Sequence, residues 1–148
     1  MKVAIGCDHA GLELKCRVIE ALSKKGVEFE DVGTFTNDSV DYPDFASEVA
    51  RRVRDGRVRF GVLVCGTGIG MSIVANKYRG VRAALCTTEF EARSARGHND
   101  ANVLGLGERV VGVGLGVAIA ESFVDTPFDA GRHARRVQKI ADAEAENA

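Results

Sequence analysis

Phe60-Gly-Val-Leu-Val-Cys65-Gly-Thr-Gly-Ile-Gly70-Met71 decides how this chain is read. Its first six residues are almost wholly apolar, as expected of a central parallel strand covered on both faces. Glycines at 66, 68 and 70 then let the backbone approach a ligand closely and turn the chain into a helix from Met71 to about Tyr78. A strand that hands over to a helix in this way aims unpaired amide donors at negative charge. The Cys65 thiol stands at that junction, where the helix dipole favours a thiolate. Taken alone, the same stretch also fits a tight turn after a buried structural cysteine.

Outward from this stretch, short β-branched runs alternate with segments of helical period. Lys2 to Cys7 reads as a first strand, followed by Leu12, Cys16, Ile19 and Leu22 at helical spacing. Val27 to Val32 reads as the second strand. Pro43 opens a helix with Phe45, Val49 and Val53 on one face, which Asp55-Gly56 ends. Arg82 to Cys86 is the fourth strand, and Thr88 and Glu91 have capping-box spacing at the next helix start. Asn102 to Leu106 is the fifth strand. Helices are expected over about Val111 to Phe123 and from about His133 onward, with 141–148 a frayed tail. The pattern predicts a three-layer α/β/α, doubly wound, Rossmann-like domain with a five-stranded, mainly parallel sheet, spanning 1–148 as one unit. Ligands of such sheets sit beyond the carboxyl ends of the strands. Four places qualify: Asp8-His9, Cys65 to Gly70, Thr87-Thr88, and the segment after the fifth strand.

Twenty basic and twenty-one acidic residues leave a net charge of -1 over 148 residues. No global positive field exists to gather nucleic acid or an anionic membrane, so any recognition of anions is local. The apolar run Val110 to Ala120 is far short of a membrane span and holds three glycines. The opening Met-Lys-Val-Ala-Ile-Gly carries no signal-peptide pattern, and Cys7, Cys16, Cys65 and Cys86 are scattered through apolar segments. They read as reduced thiols of a cytoplasmic protein.

Three common motifs fail at the glycine loop. A dinucleotide fingerprint needs glycine where Met71 stands, and no acid ends the fourth strand. A nucleotide phosphate loop needs Gly-Lys-Ser/Thr at its end, and there is none. A cysteine phosphatase needs arginine at the position of Met71 to grip phosphate bidentately. Elsewhere, Asp8-His9 at the tip of the first strand offers a donor to an anion, or else a helix cap. His98-Asn99, just before the fifth strand, combines a proton carrier with an oxyanion-holding amide, or is a polar turn. Arg132 and Arg136 are four apart and share a helix face that could clamp one phosphate, or form a solvated basic face. Cys7, His9, Cys65 and His98 lack the close-paired spacing of zinc ligands, so no metal is expected.

These groups together suit aldose–ketose isomerisation of a phosphorylated sugar. That reaction moves a proton between adjacent carbons through an enediolate. It needs a base, oxyanion donors, a ring-opening group and a phosphate clamp, and neither a metal nor a redox cofactor.

The chain resembles the type B ribose-5-phosphate isomerase family, which includes galactose-6-phosphate and allose-6-phosphate isomerases. The resemblance runs through Ile5-Gly-Cys-Asp-His-Ala-Gly11, Asp41-Tyr-Pro-Asp44, Cys65-Gly-Thr-Gly-Ile-Gly-Met-Ser72 and Asn76-Lys-Tyr-Arg-Gly-Val-Arg-Ala-Ala84. It continues through His98-Asn-Asp-Ala-Asn102 and Thr126-Pro-Phe-Asp-Ala-Gly-Arg-His133. By that resemblance, Cys65 is the enediolate base and Thr67 assists proton movement. Gly66, Gly68, Gly70 and Asn99 stabilise the oxyanion. His98 opens the furanose ring, Asp8 and Tyr42 contact the sugar end, and His9, Arg109, Arg132 and Arg136 bind phosphate. One branch of the family replaces this cysteine with a glutamate at the place of Met71, so the chain looks like the cysteine branch. The resemblance also implies a homodimer or homotetramer with shared active sites, in which His98, Asn99 and Arg109 serve the other chain's Cys65. The expected substrate pair is D-ribose 5-phosphate and D-ribulose 5-phosphate. The alternatives are another sugar phosphate (allose 6-phosphate, galactose 6-phosphate or a tetrose phosphate) or a non-catalytic sugar-phosphate-binding module.

Overall fold

The computed structural model describes residues 1–148. Its centre is a five-stranded sheet whose pairings are all parallel, in the order β2-β1-β3-β5-β4. The strands are β1 (Lys2–Cys7), β2 (Glu28–Asp31), β3 (Phe60–Cys65), β4 (Ala83–Leu85) and β5 (Val103–Gly107). The helices are α1 (Leu12–Ser23), α2 (Tyr42–Arg54), α3 (Ile69–Ala75), α4 (Glu89–Gly97), α5 (Glu108–Asp125) and α6 (Arg132–Glu146).

Alternation along the strands divides the core into two apolar layers. Val3, Ile5, Val62, Val64, Leu104 and Leu106 pack with Leu14, Val18 and Leu22 of α1, Ala92 of α4, and Ile119 and Phe123 of α5. Ala4, Leu63, Cys65 and Val103 face the other way, onto Ala46, Val49, Ala50 and Val53 of α2 and Met71 and Ala75 of α3. A parallel sheet requires helices on both faces. The period-2 pattern therefore already assigns Cys65 to the α2–α3 side.

Several boundaries differ from the sequence reading. Helix α3 starts at Ile69 and ends at Ala75, so the loop is shorter than Gly66 to Gly70. Gly68 stands at its N-cap with φ +77, which only glycine adopts cheaply, and a Cβ there would come within 2.9 Å of the Leu106 carbonyl carbon. Helix α5 begins at Glu108 and is broken at Gly112, with φ 70 and ψ −178. The stretch 141–148, expected to fray, continues α6 as far as Glu146, and the Glu144 carboxylate accepts the Gly80 amide at 2.9 Å. At Thr88 the capping hydroxyl accepts the Glu91 amide at 3.1 Å, while the Glu91 carboxylate reaches the amide of Thr87 at 2.9 Å instead of that of Thr88.

Parallel register aligns Cys7 with Val64 and Cys65 with Gly107. The carboxyl ends of β1, β3 and β5 are thereby level. Strand order reverses between β1 and β3, the point at which open α/β sheets form a crevice.

Close approach of β5 to α3 depends on a missing side chain. A Cβ at Gly105 would lie 2.3 Å from Ser72 Oγ, the hydroxyl that donates to the Gly68 carbonyl at 2.8 Å. Gly105→Ala is expected to lower stability by about 2 kcal/mol through overpacking. Adding Ser72→Ala should recover most of that loss; denaturant unfolding of the single and double variants measures both.

Candidate active site

A cleft of about 490 Å³ opens where β1, β3 and β5 end. Asp8, His9, Tyr42, Cys65, Gly66, Thr67, Gly70 and Arg109 line it, together with Ala10, Ile69 and Ile73. The last strand residue, Cys65, is 5 % exposed, and its Sγ accepts the Gly68 amide at 3.1 Å. The left-handed turn at Gly68 aims that donor at the atom able to carry negative charge. The bond also occupies the Gly68 amide, one of the expected oxyanion donors, and leaves Gly66 and Thr67 of the loop and Gly70 of the first α3 turn facing the cleft. The Thr67 hydroxyl accepts the Ile69 amide at 3.2 Å.

On the β1 side, Asp8 is buried and its Oδ1 accepts the Ala10 amide at 2.9 Å. It shapes the turn rather than capping α1. The α1 amide of Leu14 is satisfied by Glu108 Oε1 at 2.7 Å, from the start of α5. His9 Nδ1 accepts the Val40 amide at 3.2 Å, so in the neutral ring the proton sits on Nε2, ready to donate. Tyr42 packs over Gly70, where a Cβ would fall 2.6 Å from the ring. Arg109 is drawn in by its amide bond to the Gly66 carbonyl, 3.1 Å, and its Nη1 lies 3.5 Å from where a Gly66 Cβ would stand. Arg109 therefore lines the cleft of its own chain's Cys65, whereas the resemblance pairs it with the other chain's Cys65.

The remaining predicted residues gather elsewhere. His98 stacks on His133, ring centroids 4.3 Å apart and planes within 7°. Asp129 joins them, with the ligand atoms of all three inside 4.8 Å. Nearly parallel rings keep their in-plane lone pairs in two separate planes that do not meet nearby, so this arrangement does not converge on an ion. Desolvation, reinforced by His98, Arg132 and Arg136, holds the His133 imidazole below its ordinary range. His98, Asn99, Arg132 and Arg136 are exposed, and none lines the cleft that holds Cys65. Thr87-Thr88, one of the four qualifying places, does not line it either.

Sequence reading assigned no role to Ile69, Ile73, His133, Asp129 or Glu108. His133 was within reach, since it lies between Arg132 and Arg136. Glu108 was not, because its partner is 94 residues away.

A match to the ribose/galactose isomerase family model covers residues 3–140. The chain belongs to the ribose/galactose isomerase family. It is 45% identical over 143 residues to ribose-5-phosphate isomerase B of Escherichia coli, covering 97% of this chain and 96% of that one. The structure of Clostridium thermocellum ribose-5-phosphate isomerase B superposes with a TM-score of 0.97 at 49% identity, covering 100% of both chains. Ribose-5-phosphate isomerase B of Mycoplasma genitalium, solved with bound ribulose-5-phosphate, gives 0.94 at 41% identity, covering 98% of this chain and 97% of that one.

Among the thiols, burial pushes Cys7 and Cys86 up to about 12, whereas Cys16 lies exposed on α1. An unfolded thiol ionises near its ordinary value of 9.0, so the unfolded chain releases a proton that these folded thiols retain. Their contribution is fully present below that pH and is lost as pH rises toward about 12. Cys86→Ala should therefore show a shallower loss of stability over this window than the parent, measured by denaturant titrations at successive pH values. Equal slopes would refute the assignment.

Proposed function

We propose that the chain interconverts D-ribose 5-phosphate and D-ribulose 5-phosphate through an enediolate, with Cys65 as the base. The observation that carries this reading is the Cys65 sulfur at the end of β3, in the cleft with a buried carboxylate, an imidazole and a guanidinium. The family and its relatives supply the substrate class.

The thiolate removes the proton from C2 of the open-chain aldose and returns it at C1. Charge develops on the carbonyl oxygen meanwhile, and the Gly66 and Gly70 amides stabilise it, joined by an Asn99 amide that a second copy of the chain supplies. Thr67 helps move the proton between the oxygens. Asp8 and Tyr42 hold the sugar end, and His9 and Arg109 take the phosphate. No redox cofactor is needed, because no net electron transfer leaves the sugar.

Ring opening by His98 and the remaining phosphate contacts from Arg132 and Arg136 come from a second copy of the chain in this reading. The separation of the two residue groups supports it, as does the apolar rim of the cleft, where Ile69 is 51% and Ile73 56% exposed. A two-fold dimer would bring each cleft against its partner's His98 cluster, and would itself serve as the unit of any tetramer. With a phosphorylated, membrane-impermeant sugar as substrate, the reading places the protein in the cytoplasm, in pentose phosphate metabolism.

Cys65→Ala is expected to abolish exchange of the C2 proton with solvent while ribose 5-phosphate still binds; retained turnover would remove Cys65 from the mechanism. Co-refolding Cys65→Ala with His98→Ala chains tests the shared site. In randomly paired dimers about a quarter of the sites are intact if each combines two chains, and none if each is built from one. Recovery of about a quarter of parental activity is expected. The family description also spans galactose, which favours a hexose phosphate as the second reading. Comparing kcat/KM for ribose, allose, galactose and erythrose phosphates decides between them, and a preference for a six- or four-carbon sugar would overturn the pentose assignment.

A further inference from the structure

Arg96 is 1% exposed in the last turn of α4, with its guanidinium 4.6 Å from the Phe60 ring centroid and 5.9 Å from that of Phe123. From this apolar seat its donors reach two separate segments. Nη1 donates to Asp100 Oδ1 at 2.9 Å and to the Ala101 carbonyl at 2.6 Å. Nε donates to the Thr126 carbonyl at 3.3 Å. The first segment carries His98 and Asn99; the second leads to Arg132 and Arg136. A backbone bond from the Asp129 amide to the Gly97 carbonyl, 3.0 Å, joins them again. Asp100 holds a left-handed backbone, φ 47, unusual for a residue other than glycine. A second guanidinium secures it: Arg82 Nη2 meets Asp100 Oδ2 at 3.3 Å, and Arg82 Nε the Asp100 carbonyl at 2.9 Å.

We propose that Arg96 is a positioning residue that locks His98 and the Arg132–Arg136 pair into one rigid unit, so that ring opening and phosphate capture act on the same substrate. A buried charge is a poor source of stability, since a well-packed apolar side chain serves as well or better. A guanidinium adds fixed direction, through several planar donors aimed at once, which lysine cannot reproduce. The α4 side of the fold thereby joins the 98–101 turn to the 126–131 segment without touching substrate itself.

This inference rests on the ring-opening role of His98, and the test separates the two. Ribulose 5-phosphate cannot close to a furanose, because phosphate occupies its C5 oxygen. In deuterium oxide, exchange of its C1 hydrogen requires only the enediolate, whereas formation of cyclic ribose 5-phosphate also requires the ring step. Arg96→Lys is expected to raise the ratio of exchange to conversion about tenfold, in the same direction as His98→Ala, as small misplacements of a working group do. Asp100→Asn, which tolerates the left-handed backbone, should raise it less. If His98→Ala raises the ratio while Arg96→Lys lowers both rates together and leaves it unchanged, Arg96 is merely structural and the proposal is overturned. Should Arg96→Lys fail to fold, Asp100→Asn decides in the same way. An unchanged ratio in His98→Ala removes the ring-opening role, and this proposal with it.

Discussion

The hydrogen bond from the Gly68 amide to the Cys65 sulfur ties the fold to the chemistry. It exists because β3 ends at Cys65 and the chain must turn within three residues to start α3, through a left-handed residue pressed against β5. The sheet register, the glycine at 105 that admits Ser72 and the glycine at 70 that admits the Tyr42 ring all serve the same close approach. A bulkier backbone anywhere in this junction would move the sulfur, the donor or the ring away from the cleft.

Around that junction the fold distributes its polar groups unequally. The cleft is furnished by three neighbouring strand ends: Asp8 and His9 after β1, Cys65 closing β3 with Gly66, Thr67 and Gly70 beyond it, and Arg109 after β5. Buried cations stabilise the loops behind the working groups. Lys15, wholly buried, holds Asp31 at 2.8 Å and the Thr34 carbonyl at 2.6 Å, in the turn beside β1. Arg96 does the equivalent service behind His98. Each is satisfied by several acceptors, as buried charge must be.

Membership of the ribose/galactose isomerase family points to sugar-phosphate isomerase chemistry. The Cys65 sulfur, Asp8, His9 and Arg109 line one cleft, while the stacked His98–His133 pair and the basic turn of α6 lie outside it. No side chain of helix α6 is fully buried, and His133, Val137 and Glu144 are half-buried against the rest of the chain.

Periodicity and glycine placement made the alternation of strands and helices, the two-faced sheet and the Cys65 loop legible from the letters alone, because these follow from interactions within a few residues. The family resemblance implies roles for Asp8, His98 and the arginines, but not their positions. Strand order, the capping of α1 by Glu108 and the tie from Arg96 to Thr126 join residues far apart in the chain. Such contacts arise from how the layers close on one another, and no local pattern encodes them. The same reason places Arg109 beside its own Cys65 and His98 away from it: strand register and helix packing decide which loops meet, whatever residues those loops carry.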